Sequence, residues 1–291
     1  MIIISAVLWG TYGSFVTVIT GMGMQNTPLV FLRFVATVIP VGILMFIKDR
    51  SLFKIHAKDL WLFAANGILS IVFFTLCYTA AIGETKIATA AALLYTAPAI
   101  VLVFSAIIFA EKLTPRKIIC VAVAVIGCAL VSGLAGGSLA LTPKGLLLGL
   151  GAGLGYALYS IFSRLILNRG YSPYTNVFYT FGIAIVVFAC LCFAEGSASQ
   201  IIELPGATAL ALLCGLLTGC VSYVLYTTGL AGFEVSKAAQ LATIEPVTAT
   251  VLGFVLFGQT LSISEIAGIV LVVGSVIAMN AKTTSREAVC E

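Results

Sequence analysis

The sequence predicts an all-α integral membrane protein with ten transmembrane helices, arranged as two inverted five-helix repeats. The first observation is composition: 61% of the 291 residues are hydrophobic and only 9% are charged. A soluble domain usually has about 25% charged residues, so this chain could not cover a water-facing surface. The second observation is a series of apolar runs of membrane-spanning length. The third is a pattern that recurs 148 residues later, for example from Pro98 to Pro246.

The ten apolar runs are each close to the roughly 20 residues that a helix needs to cross a bilayer. Some polar breaks, such as 83–85 and 258–262, are so short that the helices on either side must form antiparallel hairpins. No break is long enough for a soluble domain. The predicted spans are residues 2–20, 27–47, 59–82, 85–110, 115–134, 143–167, 173–193, 206–231, 235–257 and 263–281.

Basic residues between the spans predict the orientation. If the N-terminus is inside, the inside loops and ends hold twelve basic residues and the outside loops hold two, which is a strong positive-inside bias. We therefore expect a multi-pass protein of the cytoplasmic (inner or plasma) membrane with both termini in the cytoplasm. The inside residues are Lys48, Arg50, Lys54, Lys58, Lys112, Arg116, Lys117, Arg164, Arg169, Lys237, Lys282 and Arg286, and the outside residues are Lys86 and Lys144.

The ungapped shift of 148 residues divides the chain into two related halves. It aligns Tyr226 with Tyr78 as well as Pro246 with Pro98. Because each half has an odd number of spans, the halves must insert in opposite orientations. In agreement, the loop 111–117 has three basic residues and its equivalent 259–265 has none. The predicted division is 1–134 for the first repeat, 135–142 for the connecting loop, 143–281 for the second repeat and 282–291 for a cytoplasmic tail.

Two motifs at the ends of the half-repeats are the most specific feature of the chain. In the first half, Pro98 is followed by an apolar run and by AEKL at 110–113. In the second, EPV at 245–247 is followed by FGQTL at 257–261. This arrangement resembles the EamA family of the drug/metabolite transporter superfamily, except that Gln259 stands where the family usually has glutamate. The resemblance covers nearly the whole chain and implies a secondary transporter, often an exporter of amino acids or other small metabolites.

Two ionisable residues lie within predicted spans, where a charge costs roughly 2.5–3.5 kcal/mol on insertion scales. Arg33 could meet a substrate carboxylate, or it could pair with a helix end or extend its side chain toward the lipid headgroups. Glu245 could bind an amine or exchange a proton, or it could be a structural carboxyl bonded to neighbouring backbone. It lies about 160° around an ideal helix from Thr243, so either Pro246 distorts this turn or Glu245 faces a neighbouring helix.

Aromatic and polar residues recur at helical spacing in several spans and predict a cavity near the membrane midplane, where the two repeats meet. Tyr12, Tyr78 and Tyr159 are inside their spans, which argues against a role in the interfacial aromatic belt. The predicted substrate-binding residues are Trp9, Tyr12, Arg33, Tyr78, Tyr95, Tyr159, Ser160, Tyr226, Gln240 and Thr243, with Glu245 for proton or charge coupling and Pro98 and Pro246 as hinges.

These features predict a secondary active transporter, an exporter of amino acids or related small polar metabolites that works by alternating access. The alternative is an exporter of cationic or amphiphilic drug-like compounds, with Glu245 as the counter-charge. An intramembrane enzyme is disfavoured, because the single histidine, His56, is in a basic loop and no HExxH, Gly-x-Ser-x-Gly or P-loop motif occurs.

The expected partners are a small-molecule substrate and the lipid bilayer, with protons as a candidate coupling ion. We expect no catalytic residue, cofactor, metal or nucleic acid, and a monomer or homodimer.

Overall fold

Helices are the only regular secondary structure in the residues that the computed structural model describes, which are 1–85, 87–134 and 142–281. Nine of these helices are long and apolar enough to cross a membrane. The remaining long helix has 17 residues, at the short end of the spanning range. The ten are α1 (Ile2–Gly21), α2 (Asn26–Lys48), α3 (Ala57–Glu84), α4 (Ile87–Phe109), α5 (Pro115–Val131), α6 (Pro143–Asn168), α7 (Pro173–Ala194), α8 (Pro205–Ala231), α9 (Val235–Phe257) and α10 (Ile263–Asn280).

The predicted fold class is confirmed, and the predicted helix ends lie within three residues of the observed ones. The largest difference is at the end of α5, which stops at Val131 because Ser132 and Gly133 form a turn with Gly133 at a φ of +77°. Lys86, most of the predicted connecting loop 135–142 and the predicted tail 282–291 lie outside the described residues.

The two halves repeat each other in their helix boundaries. At the shift of 148 residues, α9 begins and ends where α4 does. Both helices end at a residue in the left-handed region, Ala110 with φ 54° and Gly258 with φ 63°. The next helix in each half is then capped by a side-chain oxygen, from Thr114 in one and Ser262 in the other, which accepts a hydrogen bond from the backbone N–H three residues later.

Two helices widen at equivalent places. Asn66–Val72 of α3 and Gly215–Val221 of α8 are π-helical, a form that is rare and frequent at functional sites. Each segment contains a buried hydroxyl residue, Ser70 or Thr218, and these two are equivalent under the shift of 148 residues. The wider turns change which side chains face the centre of the bundle.

Two of the helices, α4 and α9, are interrupted near their middle. The breaks fall at residues 95–96 and 242–243. At each break a threonine hydroxyl donates to a carbonyl oxygen three residues earlier, Thr96 to Leu93 at 2.7 Å and Thr243 to Gln240 at 2.6 Å. Such local bonds compete with the helical ladder. The predicted hinge residues, Pro98 and Pro246, therefore lie in the first turn of the second helical piece rather than at the break itself.

α6 lies against the broken part of α4 and against α3 at very short range. A Cβ atom added at Gly153 would be 3.0 Å from the Leu93 carbonyl oxygen, and one added at Gly155 would be 3.0 Å from the backbone nitrogen of Phe74. Small residues allow this close packing in a membrane. As a result, the aromatic residues of α6 are held next to both halves of the molecule.

Candidate substrate site

Glu245 lies in the first turn of the second piece of α9, where the positive end of the helix dipole favours a carboxylate. Its Oε2 atom accepts a hydrogen bond of 2.7 Å from the hydroxyl of Tyr156 on α6. Tyr78 and Tyr95 lie within electrostatic range of the same carboxyl group. Because α9 is interrupted just before Glu245, the ideal-helix angle to Thr243 does not apply, and Glu245 faces α6.

Arg33 of α2 is 8% exposed and is held inside the bundle. Its Nε and Nη2 atoms donate to the hydroxyl and the carbonyl oxygen of Thr218, at 3.1 and 3.2 Å. The guanidinium group lies 4.2 Å from the centre of the Tyr12 ring, in a cation–π contact. The side chain therefore does not extend to the headgroups. It also interacts electrostatically with Glu245 across the centre of the molecule.

Trp9 of α1 packs against aromatic residues near both Glu245 and Arg33. Its ring centroid is 6.3 Å from that of Tyr156, which binds Glu245, and 4.9 Å from that of Tyr223, in edge-to-face contacts. Tyr226 packs against the same indole at 5.1 Å. The result is an aromatic wall built from α1, α6 and α8, next to the two separate charged residues, Arg33 and Glu245.

Three of the predicted binding residues make hydrogen bonds within this wall. The Tyr159 hydroxyl bonds to Thr227 at 2.9 Å, and Ser160 bonds to the Tyr226 hydroxyl at 2.7 Å. All four side chains are buried. These pairs join α6 to α8. In this conformation the polar groups of Tyr159, Ser160 and Tyr226 therefore stabilise the aromatic wall and are not free to bind a ligand.

Gln240 and Thr243 were predicted to line the same cavity, and the structure does not bring them there. Gln240 is buried and its Nε2 atom donates to the Ser275 carbonyl oxygen of α10 at 3.2 Å. The Thr243 hydroxyl donates to the Gln240 carbonyl oxygen at the break in α9. The physical reason is that the interruption of α9 turns Glu245 toward α6, while the helical piece before the break packs chiefly against α4.

On one membrane face the two halves are in direct polar contact. We call it the terminal face, because it carries Met1 and the ends of α2, α4, α6, α8 and α10. Glu111, just after α4, accepts hydrogen bonds from the Val235 N–H at 2.5 Å and from the Ser236 hydroxyl at 2.5 Å. Lys117 is 3.7 Å from Glu111 and 3.1 Å from Glu234. These five residues form what we call the Glu111 latch.

Nearby lysines favour the ionised form of Glu234 in the latch. Burial alone would raise the pKa of Glu234, but ion pairs with Lys237 and Lys117 outweigh it and hold that pKa below its usual value. A carboxyl whose pKa is lowered on folding stabilises the folded state above its ordinary pKa and loses this contribution as the pH falls through the lowered pKa. The Glu234 carboxylate of the latch is therefore ionised at neutral pH.

The opposite face has no matching latch at the equivalent residues that the structure describes. Gln259, the counterpart of Glu111, is exposed, and its side chain folds back against Gly253 of its own helix. Ile87, the counterpart of Val235, is 67% exposed. The two faces of the molecule thus differ, although the helices around them are related by the repeat.

Three residues of this site, Tyr156, Tyr223 and Thr218, are not among the predicted binding residues. Tyr156 shares a helix face with Tyr159 and Ser160, and Tyr223 precedes Tyr226 by three residues, so helical spacing was a usable signal for both. Thr218 carried no such signal, because its role depends on Arg33 and on a π-helical turn. Within the described residues, no group of three or more His, Cys, Asp or Glu side chains could hold a metal ion.

Ten apolar helices around buried polar and aromatic residues define a multi-pass membrane protein. Comparison with known proteins gives the class. The family model of the EamA-like transporter family matches residues 1–133 and again residues 143–281. The chain belongs to this family and is a membrane transporter.

Two relatives illustrate the similarity. An uncharacterized transporter of Archaeoglobus fulgidus is 29% identical over 284 residues, which cover 95% of this chain and 93% of that protein. The uncharacterized transporter YwfM of Bacillus subtilis is 26% identical, with 96% and 92% covered. A crystal structure with 20% sequence identity superposes with a TM-score of 0.77 and covers 96% of this chain and 95% of that one, which shows a shared fold.

Proposed function

We propose that the protein is a secondary active exporter of amino acids or related small polar metabolites, working by alternating access across the cytoplasmic membrane. The observation that carries the proposal is the pair of opposite charges, Arg33 and Glu245, set in one aromatic site within the bilayer. Isolated charges in this environment are expensive. An acid and a base held apart on different helices suit a ligand that carries both charges itself.

A zwitterion fits this arrangement group by group. Its ammonium would meet Glu245 and the rings of the nearby tyrosines, and its carboxylate would meet Arg33. The aromatic wall around Trp9 would cover an apolar side chain. Tyr12, Tyr78 and Tyr95 are partly buried, as expected for residues that line a cavity. They therefore remain the predicted ligand contacts together with Arg33, and Tyr156 and Tyr223 join them.

Alternating access is supported by the difference between the two faces. The Glu111 latch joins the two halves at the terminal face, whereas the equivalent residues Gln259 and Ile87 of the opposite face are exposed. Inverted repeats can exchange such conformations about a central site. The excess of basic residues on the terminal face supports a cytoplasmic location for it. The driving force would be the gradient of the substrate itself or of protons.

The test begins with a thermal-shift screen of the purified protein against the amino acids, because a ligand of the folded state raises its melting temperature. Flux into proteoliposomes is then measured for the best amino acid, for its methyl ester and for its deaminated acid. We expect Arg33→Gln to impair the amino acid and the acid but not the ester. Glu245→Gln should impair the amino acid and the ester but not the acid.

The control variant is Glu84→Gln, which removes a carboxylate that pairs with Lys144 at the membrane surface; it should transport normally. Equal effects of both site variants on all three compounds would contradict direct recognition of the two charges. A thermal shift and flux confined to organic cations would instead support the alternative, export of cationic drug-like compounds. The tyrosines around Glu245 would suit an organic cation. Export of such cations would, however, leave Arg33 without a ligand.

A further inference from the structure

A small cavity lies beneath the aromatic wall, between α1 and α3 of the first half and α6 and α8 of the second. Its volume is about 20 Å³, enough for one water molecule but not for a substrate. The lining residues are Trp9, Ser70, Ile71, Phe74, Tyr156, Tyr159, Ser160, Tyr223 and Tyr226.

Two polar atoms of this lining are buried without a partner. The indole N–H of Trp9 and the hydroxyl of Ser70 make no hydrogen bond with any residue in 1–85, 87–134 or 142–281. Trp9 is 7% exposed and Ser70 is 1% exposed, so bulk solvent does not satisfy them. Buried polar groups in folded proteins are nearly always bonded, to protein or to an ordered water. Both atoms belong to residues that line the same cavity.

The repeat shows why the Ser70 hydroxyl is free for another ligand. Its equivalent, Thr218, occupies the same position in the π-helical segment of α8 and accepts a hydrogen bond from Arg33. Ser70 occupies that position in α3 and has no such arginine partner among the described residues. The same local geometry therefore holds a protein cation in one half and presents an open hydroxyl in the other.

The neighbouring pair of Ser160 and Tyr226 supplies a further donor. Their oxygens are 2.7 Å apart, and whichever hydroxyl accepts in this bond keeps its own proton to donate elsewhere. A water in the cavity could thus accept from the Trp9 N–H and from this pair, and donate to Ser70. Three hydrogen bonds are the usual number for a buried water.

We propose that this cavity is a binding site for a single structural water that bridges Trp9 and Ser70 of the first half to the pair of Ser160 and Tyr226 in the second. The water holds the indole that forms the aromatic wall. It also joins the two halves through a bond that reforms easily when they move. The inference needs no assumption about which solute is transported.

The first test is X-ray hydroxyl-radical labelling of the purified protein, read by mass spectrometry, because radicals form from waters bound inside a protein. After correction for the intrinsic reactivity of each ring, we expect Trp9 to be labelled several-fold faster than Phe34, which is 1% exposed and does not line the cavity. Ser70→Val, which removes a water ligand and fills the space, should bring the labelling of Trp9 down to that of Phe34. Labelling of Trp9 no faster than Phe34, or unchanged by Ser70→Val, would overturn the proposal.

The second test is a double-mutant cycle on the melting temperature, without substrate. Trp9→Phe and Ser70→Ala each remove one ligand of the same water, so the double variant should melt close to the less stable single variant. Trp9→Phe combined with Ser275→Ala is the control, because Ser275 donates to the Val272 carbonyl of α10, away from the cavity, and should be additive. Additive effects in the first pair would rule out a shared water.

Discussion

At the scale of the residue, the carboxyl of Glu245 is the most informative group in the protein. Glu245→Gln keeps the size of the side chain and leaves an oxygen to accept the Tyr156 hydrogen bond, so the melting temperature should change little. The lost charge weakens the hydrogen bond from Glu245 to the ammonium group of the amino acid. Because hydrogen bonds to charged groups are worth about 1.5–3 kcal/mol, we expect at least a tenfold fall in kcat/KM for the amino acid. Transport that is unaltered and independent of pH would remove Glu245 from the mechanism.

A substitution at Tyr156 can distinguish its hydrogen bond to the Glu245 carboxyl from the packing of its ring. Tyr156→Phe keeps the ring contacts with Trp9 and Phe74 and removes only the hydroxyl that binds Glu245. We expect a several-fold rise in KM with kcat and folding retained. The matched control is Tyr159→Phe, which removes a hydroxyl bonded to Thr227 in the same wall. An unchanged KM in Tyr156→Phe would show that Tyr156 acts through packing alone, and equal effects of the two variants would show that the bond to Glu245 has no specific role.

The two charged residues were predictable from sequence because ionisable groups inside apolar runs stand out. Their partners were not. The contact between Tyr156 and Glu245 joins residues 89 positions apart, and that between Arg33 and Thr218 joins residues 185 apart. Neither separation leaves a local pattern, so these pairs follow only from the packing of the helices.

At the scale of the element, hydropathy predicted where each helix begins and ends but not where it is interrupted. The sequence suggested hinges at Pro98 and Pro246. The helices are instead interrupted two or three residues earlier, at Thr96 and Thr243, whose hydroxyls donate to backbone carbonyl oxygens of the preceding turn. The π-helical turns in α3 and α8 gave no sequence signal either. These features depend on tertiary contacts across α6 and α2, which composition and periodicity do not report.

The Glu111 latch gives a prediction for the loop between α4 and α5. Glu111→Gln removes the charge that binds Ser236 and Lys117, at an expected cost of about 1.5–3 kcal/mol to the closed terminal face. The ratio of closed to open molecules should fall at least about tenfold. Spin-label distances between α4 and α9 on the terminal face would measure this ratio.

The control for this prediction is Glu265→Gln on the opposite face. Among the residues that the structure describes, the Glu265 side chain bonds locally, to the backbone N–H and hydroxyl of Ser262, in a capping box at the start of α10. The same chemical change there should leave the distances on the terminal face unaltered. If Glu111→Gln also leaves them unaltered, the latch does not hold that face closed.

At the scale of the whole molecule, the repeat relates the latch to a contact that would form in the other conformation. The shift of 148 residues places Gln259 where Glu111 is, and Ile87 and Ala88 where Val235 and Ser236 are. Exchange of conformations between the halves should bring Gln259 onto the start of α4 as the latch opens. A neutral amide facing Ala88 makes fewer and weaker bonds than a carboxylate facing Ser236, so the conformation with a closed terminal face should predominate.

This exchange can be tested with two cysteine pairs placed in a protein whose native cysteines have been replaced. Glu111→Cys with Ser236→Cys should crosslink readily and stop transport with the terminal face closed. Gln259→Cys with Ala88→Cys should crosslink more slowly, in proportion to the rarer conformation, and stop transport with the opposite face closed. Because one rigid exchange cannot close both faces, a protein with all four cysteines should form one crosslink or the other. Two crosslinks in the same molecule would show that the faces close independently and that the repeat does not govern the motion.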